Sequence, residues 1–435
     1  MDSSHARSVA VIGSGVAGLT AAYVLSGRDR VTLYEADVRL GGHAHTHFVD
    51  DGGGPDNLMG VDSAFLVHND RTYPTLCRLF SELGVATQES EMSMSVRADE
   101  IGLEYAGALG ASGLFASKQS LRPRYLLMLG EIVRFHRAAS RLLRDDAAQD
   151  NPETLETFLN RHRFSSYFID FFITPLVAAV WSCASDDALR YPARYLFVFL
   201  DHHGMLSVFG SPTWRTVTGG SAHYVAAVAA RLAEVSTGTP VNSLRRVPDG
   251  VWVQAGDNTP RLFDAAVVAV HPDQALLLLD DPNPWERAVL GAIPYSTNQA
   301  QLHTDESVLP RHRRARASWN YLVTPGKDHV LVSYDVSRLM RLDGYTRYLV
   351  TLGGHDRVDP ASVIAEMTYS HPLYTTESVA AQALLPTLDN DRVVFAGAYH
   401  GWGFHEDGAA SGLAAARRLG ADWPTAARCE AVARC

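Results

Sequence analysis

The sequence predicts a Rossmann-type α/β fold that is discontinuous in the chain, with an α+β domain inserted into it. Three observations carry this expectation. The opening "SVAVIGSGVAGLTAAYVLSGRDRVTLYEADVRLGGH" passes from an apolar run, Val9 to Ile12, through a glycine turn and an Ala-rich helical stretch to a second apolar run, Val31 to Tyr34. That order is a βαβ unit. A buried strand, "FDAAVVAVHP", and a closing strand, loop and helix, "RVVFAGAYHGWGFHEDGAASGLAAARRLG", resume the pattern far downstream. Between them lie stretches with helical spacing and with strict alternation, which belong to a different sheet.

The remaining elements follow in order. "TYPTLCRLFSELG", Thr72 to Gly84, has helical spacing ending on glycine, and "EMSMSVRADEIGLEYAG" alternates as antiparallel strands do. Ser120 to Asp201 reads mostly helical; its most apolar part, Tyr167 to Ala184, is interrupted by Asp170 and Pro175 and is expected to be a buried helix pair rather than a membrane span. "PVNSLRRVPDGVWVQA" predicts a hairpin over Pro248-Asp249-Gly250. "QAQLHTDESVLP", "ASWNYLVTP" and "HVLVSYDVSRL" predict strands of a second sheet. The expected division is 1–85, 205–295 and 386–422 for the nucleotide-binding domain, 86–204 and 296–385 for the inserted domain, and 423–435 for a tail.

Composition narrows the function classes. With 435 residues, 46% apolar and 20% charged, the chain is globular, and its net charge of -10 with no basic run among aromatics argues against nucleic acid. Cys77, Cys183, Cys429 and Cys435 lie too far apart for a zinc site or a disulfide framework, which fits a reducing, cytoplasmic setting. "MDSSHARS" is too short and polar for a signal peptide. The stretch Leu121 to Leu143 carries Arg122, Arg124, Arg134, Arg137 and Arg141 around an apolar face, with Arg144 just beyond it. It fits either peripheral contact with an anionic membrane or, more simply, a solvated helix face.

Gly13, Gly15 and Gly18 form G-x-G-x-x-G between strand and helix, and Glu35 closes the next strand. Gly13 allows the tight turn, Gly15 lets backbone approach a pyrophosphate, and Gly18 lets the helix pack on the sheet; Glu35 accepts from ribose hydroxyls, favouring an adenosine without a 2′-phosphate.

These glycines, Glu35, the pair Gly41-Gly42 in "RLGGH" and the closing "VVFAGAYHGWGFHEDGAASGLAAARRL" together resemble the flavin-containing amine oxidase superfamily, which includes phytoene-type desaturases and fatty-acid double-bond isomerases. More closely, "GVDSAFLVHNDRTYPTL", "HGMLSVFGSPTWRTVTGGSAHYV", "LHTDESVLP", "ASWNY" and "GFHEDG" resemble a subgroup related to the flavoprotein-like region of plant cyclopropane fatty acid synthases. The resemblance implies FAD, with Gly13, Gly15, Gly18, Glu35, Ala36, Gly41, Gly42, His43, Val241, Gly397, Glu406 and Asp407 at the cofactor, and makes the inserted domain the substrate domain. In "GFHEDG", Glu406 or Asp407 is expected to cap a helix whose dipole faces the flavin N1/O2 edge. The three histidines of "HAHTH", His43, His45 and His47, share one face if extended, yet the cofactor motif claims that turn and no metal is expected.

Departures from the superfamily pattern sharpen the function. The lysine that many amine oxidases place near flavin N5 is replaced by Gln299 or its neighbour Asn298, and the only lysines are Lys118 and Lys327. The cysteine that tethers flavin in some relatives falls near Thr375, so FAD is expected to be non-covalent. Phe404, Trp402, Trp319 and Tyr321 are candidate pocket walls, and His405, Phe404, Gln299 and His303 are the candidate catalytic residues, with His371 a further candidate for proton chemistry. The expected activity is FAD-dependent desaturation or double-bond isomerisation of an unsaturated or methyl-branched fatty acyl chain by hydride transfer to flavin N5. Amine oxidation, and a non-catalytic partnership with a lipid methyltransferase, are the alternatives. Oligomeric state is left open.

Overall fold

The computed structural model describes residues 6–52, 54, 58–145, 153–207, 210–324 and 330–423. Of the expected tail only Trp423 is described; Lys327, Cys429 and Cys435 lie outside the described residues. Five parallel strands stand side by side in the order Glu234–Ser236, Arg30–Tyr34, Ser8–Ile12, Ala265–Val268, Val393–Phe395. Ser8–Ile12 is central, with Val11 level with Leu33 on one side and Val267 on the other. Helices cover one face and the antiparallel strands Val241–Val247, Gly250–Ala255 and Arg261–Phe263 pack on the other, so the parallel strands are buried on both sides and read as continuous Val and Ala runs instead of alternating. The chain leaves the central strand toward one edge and later returns toward the other, which opens a crevice at the carboxyl ends of Ser8–Ile12 and Ala265–Val268.

Two helices meet at that crevice. The first, Val16–Ser26, follows the glycine turn, and the last, His405–Arg418, lies directly against it. Small residues make the approach possible: a Cβ at Gly412 would stand 2.2 Å from the Ala17 carbonyl oxygen, and one at Gly408 would stand 2.5 Å from Val16 Cγ1. At the far end of the last helix, Arg7 and Arg28 donate to the Leu419 carbonyl at 2.6 and 2.8 Å, and buried Asp29 holds both guanidiniums. The exposed carbonyls of a helix C-terminus are thereby satisfied.

A second sheet of seven strands runs in the order Val363–Pro372, Tyr295–His303, Leu349–Leu352, Val332–Asp335, Trp319–Leu322, Met94–Ala98, Leu103–Ala106. It is antiparallel except where Trp319–Leu322 meets Met94–Ala98. The hairpin turns over Pro248-Asp249, with Val247 opposite Gly250. Helices Pro123–Arg144, Thr174–Trp181 and Ala193–His202 pack around an aromatic core that reaches Trp402 and Phe404.

The expected helix pair at Tyr167 to Ala184 is instead one continuous helical run. Ser166–Phe168 passes through a π-turn, Ile169–Ile173, into Thr174–Trp181, and the run stops at Ser182 in the left-handed conformation. The wide turn frees carbonyls just where Pro175 lacks an N–H, so proline is accommodated instead of breaking the helix. Among the described residues no helix is long and apolar enough to cross a membrane.

Gly412 and Asp407 of the last helix are each open to test, with Gly130 of Pro123–Arg144 as the control for the first. Gly412→Ala presses a methyl into backbone that cannot yield, and denaturant midpoints should show a loss of about 1–3 kcal/mol. Gly130→Ala, in a helix and with nothing near its Cβ position, should be neutral or gain up to about 1 kcal/mol. Asp407 accepts from Phe404 N at 2.9 Å, closing the first turn of the last helix, and burial pushes its carboxyl up to about 7 from 3.8. The folded state therefore holds this proton more tightly than the unfolded chain, and its stability falls as pH rises from about 4 to about 7, by up to roughly 1.4 kcal/mol per pH unit from this group. Asp407→Asn should gain on the wild type across that window; a stability difference that does not change with pH would contradict this.

Candidate active site

The crevice opens into a cavity of about 630 Å³ that runs from the glycine turn to the second sheet. At one end Gly13 has φ 99°, and a Cβ there would stand 2.5 Å from the Ala269 oxygen. Gly15 has open space where its Cβ would be, and it begins the first helix with no side-chain cap, so backbone amides face the cavity unobstructed. Ser14 ties the loops together: its hydroxyl lies 2.5 Å from the Glu35 carboxylate and accepts from Gly41 N at 3.0 Å. Glu35 also accepts from Ser14 N and Asp37 N at 2.8 and 2.9 Å. Ala36, Gly42, His43, Val241 and Gly397 line the same cavity, while Gly18 and Gly41 support it from behind.

The other end is aromatic and aliphatic. Phe65, Leu66, Tyr73, Trp181, Phe199, Trp214, Trp319, Tyr334, Trp402 and Phe404 line it. Apart from Glu35, no Asp, Glu, Lys or Arg contributes to the cavity wall among the described residues. Its histidines are neutral: burial pushes His405 down to about 3 and His371 down to about 4, and holds His43 well below the ordinary range. His405 stacks on Phe65 with ring centroids 3.7 Å apart, and Phe404 stacks on Phe199 at 4.8 Å.

The segment carrying Trp402 and Phe404 is held from three sides. Tyr195 and Tyr374 hydroxyls, each at 2.8 Å, and the Gln382 amide at 2.7 Å donate to the Gly401 carbonyl. Trp181 Nε1 donates to the Trp402 carbonyl at 3.1 Å. This fixes the rings on backbone that would otherwise be a free loop.

Several sequence expectations need correction. Gln299 points outward to Thr368 Oγ1, because side chains alternate along the strand and residue parity decides the face. Asn298 takes the inner face, where Nδ2 meets His371 Nδ1 at 3.2 Å and donates to the Ser182 carbonyl at 2.9 Å. His303 is enclosed away from the cavity: Nε2 lies 2.7 Å from Thr351 Oγ1 and Nδ1 accepts from Asp305 N. Tyr321 is buried beside Ser185 and is not part of the wall. Glu406 accepts from Thr75 N and Leu76 N at 3.0 and 2.9 Å, so it caps the helix Pro74–Leu83 and not its own. Glu406 and Asp407 border an adjoining space with Arg71 and His202 and do not line the main cavity. His45 and His47 lie with ring centroids 4.1 Å apart, whereas His43 alone of the three lines the cavity.

Two residues with no sequence signal complete the site. Ser63 and Tyr369 line the cavity and share a hydrogen bond of 2.7 Å. Tyr369 OH continues to His45 Nδ1 at 2.9 Å, and Ser63 Oγ to His47 Nε2 at 2.9 Å.

The residues present fit FAD. Open amides at Gly15 suit a pyrophosphate, Glu35 suits a ribose, and the buried Nε2 atoms of His43 and His405, like the indole N–H groups of Trp319 and Trp402, have no protein partner at the cavity wall. Neither described cysteine lines the cavity, and Thr375 caps a helix through Ser378 N, which agrees with a non-covalent cofactor.

The chain resembles several solved structures at low identity. A redesigned putrescine oxidase superposes with a TM-score of 0.68 at 15% identity, covering 95% of this chain and 98% of that one. A CLA-producing fatty acid isomerase from P. acnes gives 0.68 at 16%, with the same coverage. Cyclohexylamine oxidase from Brevibacterium oxydans gives 0.65 at 17%, covering 99% and 100%. These likenesses show the fold. No curated protein matches the sequence. The family model for flavin containing amine oxidoreductases matches residues 16–420, so the chain belongs to that family and is an FAD-dependent oxidoreductase.

Proposed function

We propose that this oxidoreductase acts on an unsaturated or methyl-branched acyl chain. The observation that carries this reading is the absence of any charged side chain from the substrate end of the cavity, among the described residues. An ammonium ion there loses its water without gaining a carboxylate, whereas a hydrocarbon gains about 25 cal/mol for each Å² it buries. The absence of a lysine from the inner face at Asn298 agrees with chemistry other than ordinary amine oxidation.

Bound FAD supplies a hydride acceptor. The chain's own residues orient the substrate and handle the proton. Trp402 and Phe404, fixed through the Gly401 carbonyl, set the wall against which a chain lies. The proton released from the carbon skeleton has a route out of this apolar space: the Ser63 and Tyr369 hydroxyls at the cavity, then His45 or His47, both partly exposed. Burial pushes the Tyr369 phenol up to about 12 and, with His47 nearby, His45 down to about 3. Both groups thus stay neutral, each able to accept a proton on one side while donating on the other. Arg39, Asp37 and Asp62 are the charged groups that face this chain.

A neutral hydrophobic amine is the second reading, favoured by the aromatic lining at Trp319, Trp402 and Phe404. Anaerobic mixing separates the two. Unsaturated or branched acyl chains should bleach the flavin absorbance or shift the double bond, with amines inert; bleaching by amines alone would overturn the acyl reading. Tyr369→Phe should keep its flavin and its affinity for substrate while kcat falls about 100-fold, with an altered solvent isotope effect. An unchanged kcat and isotope effect would remove Tyr369 from the proton route.

A further inference from the structure

The helix Pro123–Arg144 has two unlike faces. Tyr125, Met128, Phe135 and Ala139 are buried in the aromatic core that also holds Trp181 and Phe199. Opposite them, Leu126 is 48% exposed, Leu127 69% and Val133 42%, and Leu121, just before the helix, is 66% exposed. Single exposed leucines are ordinary, but four apolar side chains on and beside one helix face are not.

Charge on this face is of one sign. Arg122, Arg124, Arg137 and Arg141 are exposed, and among the described residues no carboxylate pairs with any of them. Glu131, the one acid within Pro123–Arg144, is already engaged by Arg134 at 3.0 Å and by Ser165 N and Oγ at 2.9 and 2.5 Å. These exposed arginines stand out on a chain whose net charge is -10.

We propose that this face docks on an anionic phospholipid bilayer, with the helix lying in the plane of the interface. The leucines and Val133 enter the boundary between headgroups and acyl chains while the arginines meet lipid phosphates and carboxylates. The helix cannot span a bilayer, so the attachment is peripheral and reversible. Behind it, Phe135 packs on Phe197 of the helix Ala193–His202, and that helix carries Phe199 to the cavity. The docking does not depend on the acyl reading and holds equally if the substrate proves to be an amine.

The test is sedimentation of the flavin-loaded, full-length protein with vesicles of phosphatidylcholine alone or mixed with phosphatidylserine. Binding to the mixed vesicles should be at least about tenfold tighter at low salt, since each arginine near an anionic surface adds to the attraction, and should weaken as salt screens it. Leu126→Ser with Leu127→Ser should weaken binding to both vesicle types about tenfold. Arg124→Gln, Arg137→Gln and Arg141→Gln together should abolish only the preference for phosphatidylserine. Both variants should keep wild-type flavin content and melting temperature, because the altered side chains are exposed. Failure to bind phosphatidylserine vesicles at low salt, or wild-type binding by both variants, would overturn the proposal. So would a concentration-dependent dimer that the leucine substitutions abolish in a protein with no affinity for vesicles, which would assign the face to a second copy.

Discussion

Everything at the active site depends on how closely the first and last helices approach. Gly408 and Gly412 let the last helix rest on Val16 and Ala17 of the first, and no side chain larger than hydrogen fits between Gly412 and the Ala17 carbonyl. The amino ends of both helices are thereby brought to one crevice, although nearly the whole sequence separates them. The amino ends of two helix dipoles thus border one cavity, an arrangement that favours an anionic ligand such as a dinucleotide. The parallel sheet supplies the platform, and the glycine seam sets the distance.

The substrate end is built on the opposite electrostatic plan. Its histidines are kept neutral by burial, its acids turn away to cap helices, and its aromatic walls are held by hydrogen bonds to backbone rather than by ion pairs. Such a space rewards apolar contact and penalises charge. The Ser63 and Tyr369 hydroxyls at its edge are hydrogen-bonded to His47 and His45, the chain along which we propose that protons leave.

What the sequence made legible was what local spacing determines. The glycine turn, Glu35, the hairpin at Pro248-Asp249 and the closing helix each depend on residues close in the chain. Between Gln299 and Asn298 parity decides, because alternation makes neighbours face opposite sides, and only the pairing with Val363–Pro372 shows that Asn298 is the inner one. Of the two acids expected to cap the last helix, Asp407 closes its first turn through Phe404 N, whereas Glu406 turns to Thr75 N and Leu76 N, distant in sequence. The pairing of Ser63 with Tyr369 gave no signal, since Ser63, just after the strand Met59–Asp62, and Tyr369, on the strand Val363–Pro372, come within 2.7 Å only through the fold.

On the acyl-chain reading, the cavity beyond the cofactor site takes its ligand chiefly by apolar burial. Dissociation constants for a homologous series of acyl chains, read from the fluorescence of the bound flavin, test it most directly. Each added methylene should tighten binding about three- to fourfold, the equivalent of about 0.8 kcal/mol, until the cavity is full. A series whose affinity does not change with chain length, or that weakens from the shortest member onward, would contradict the account.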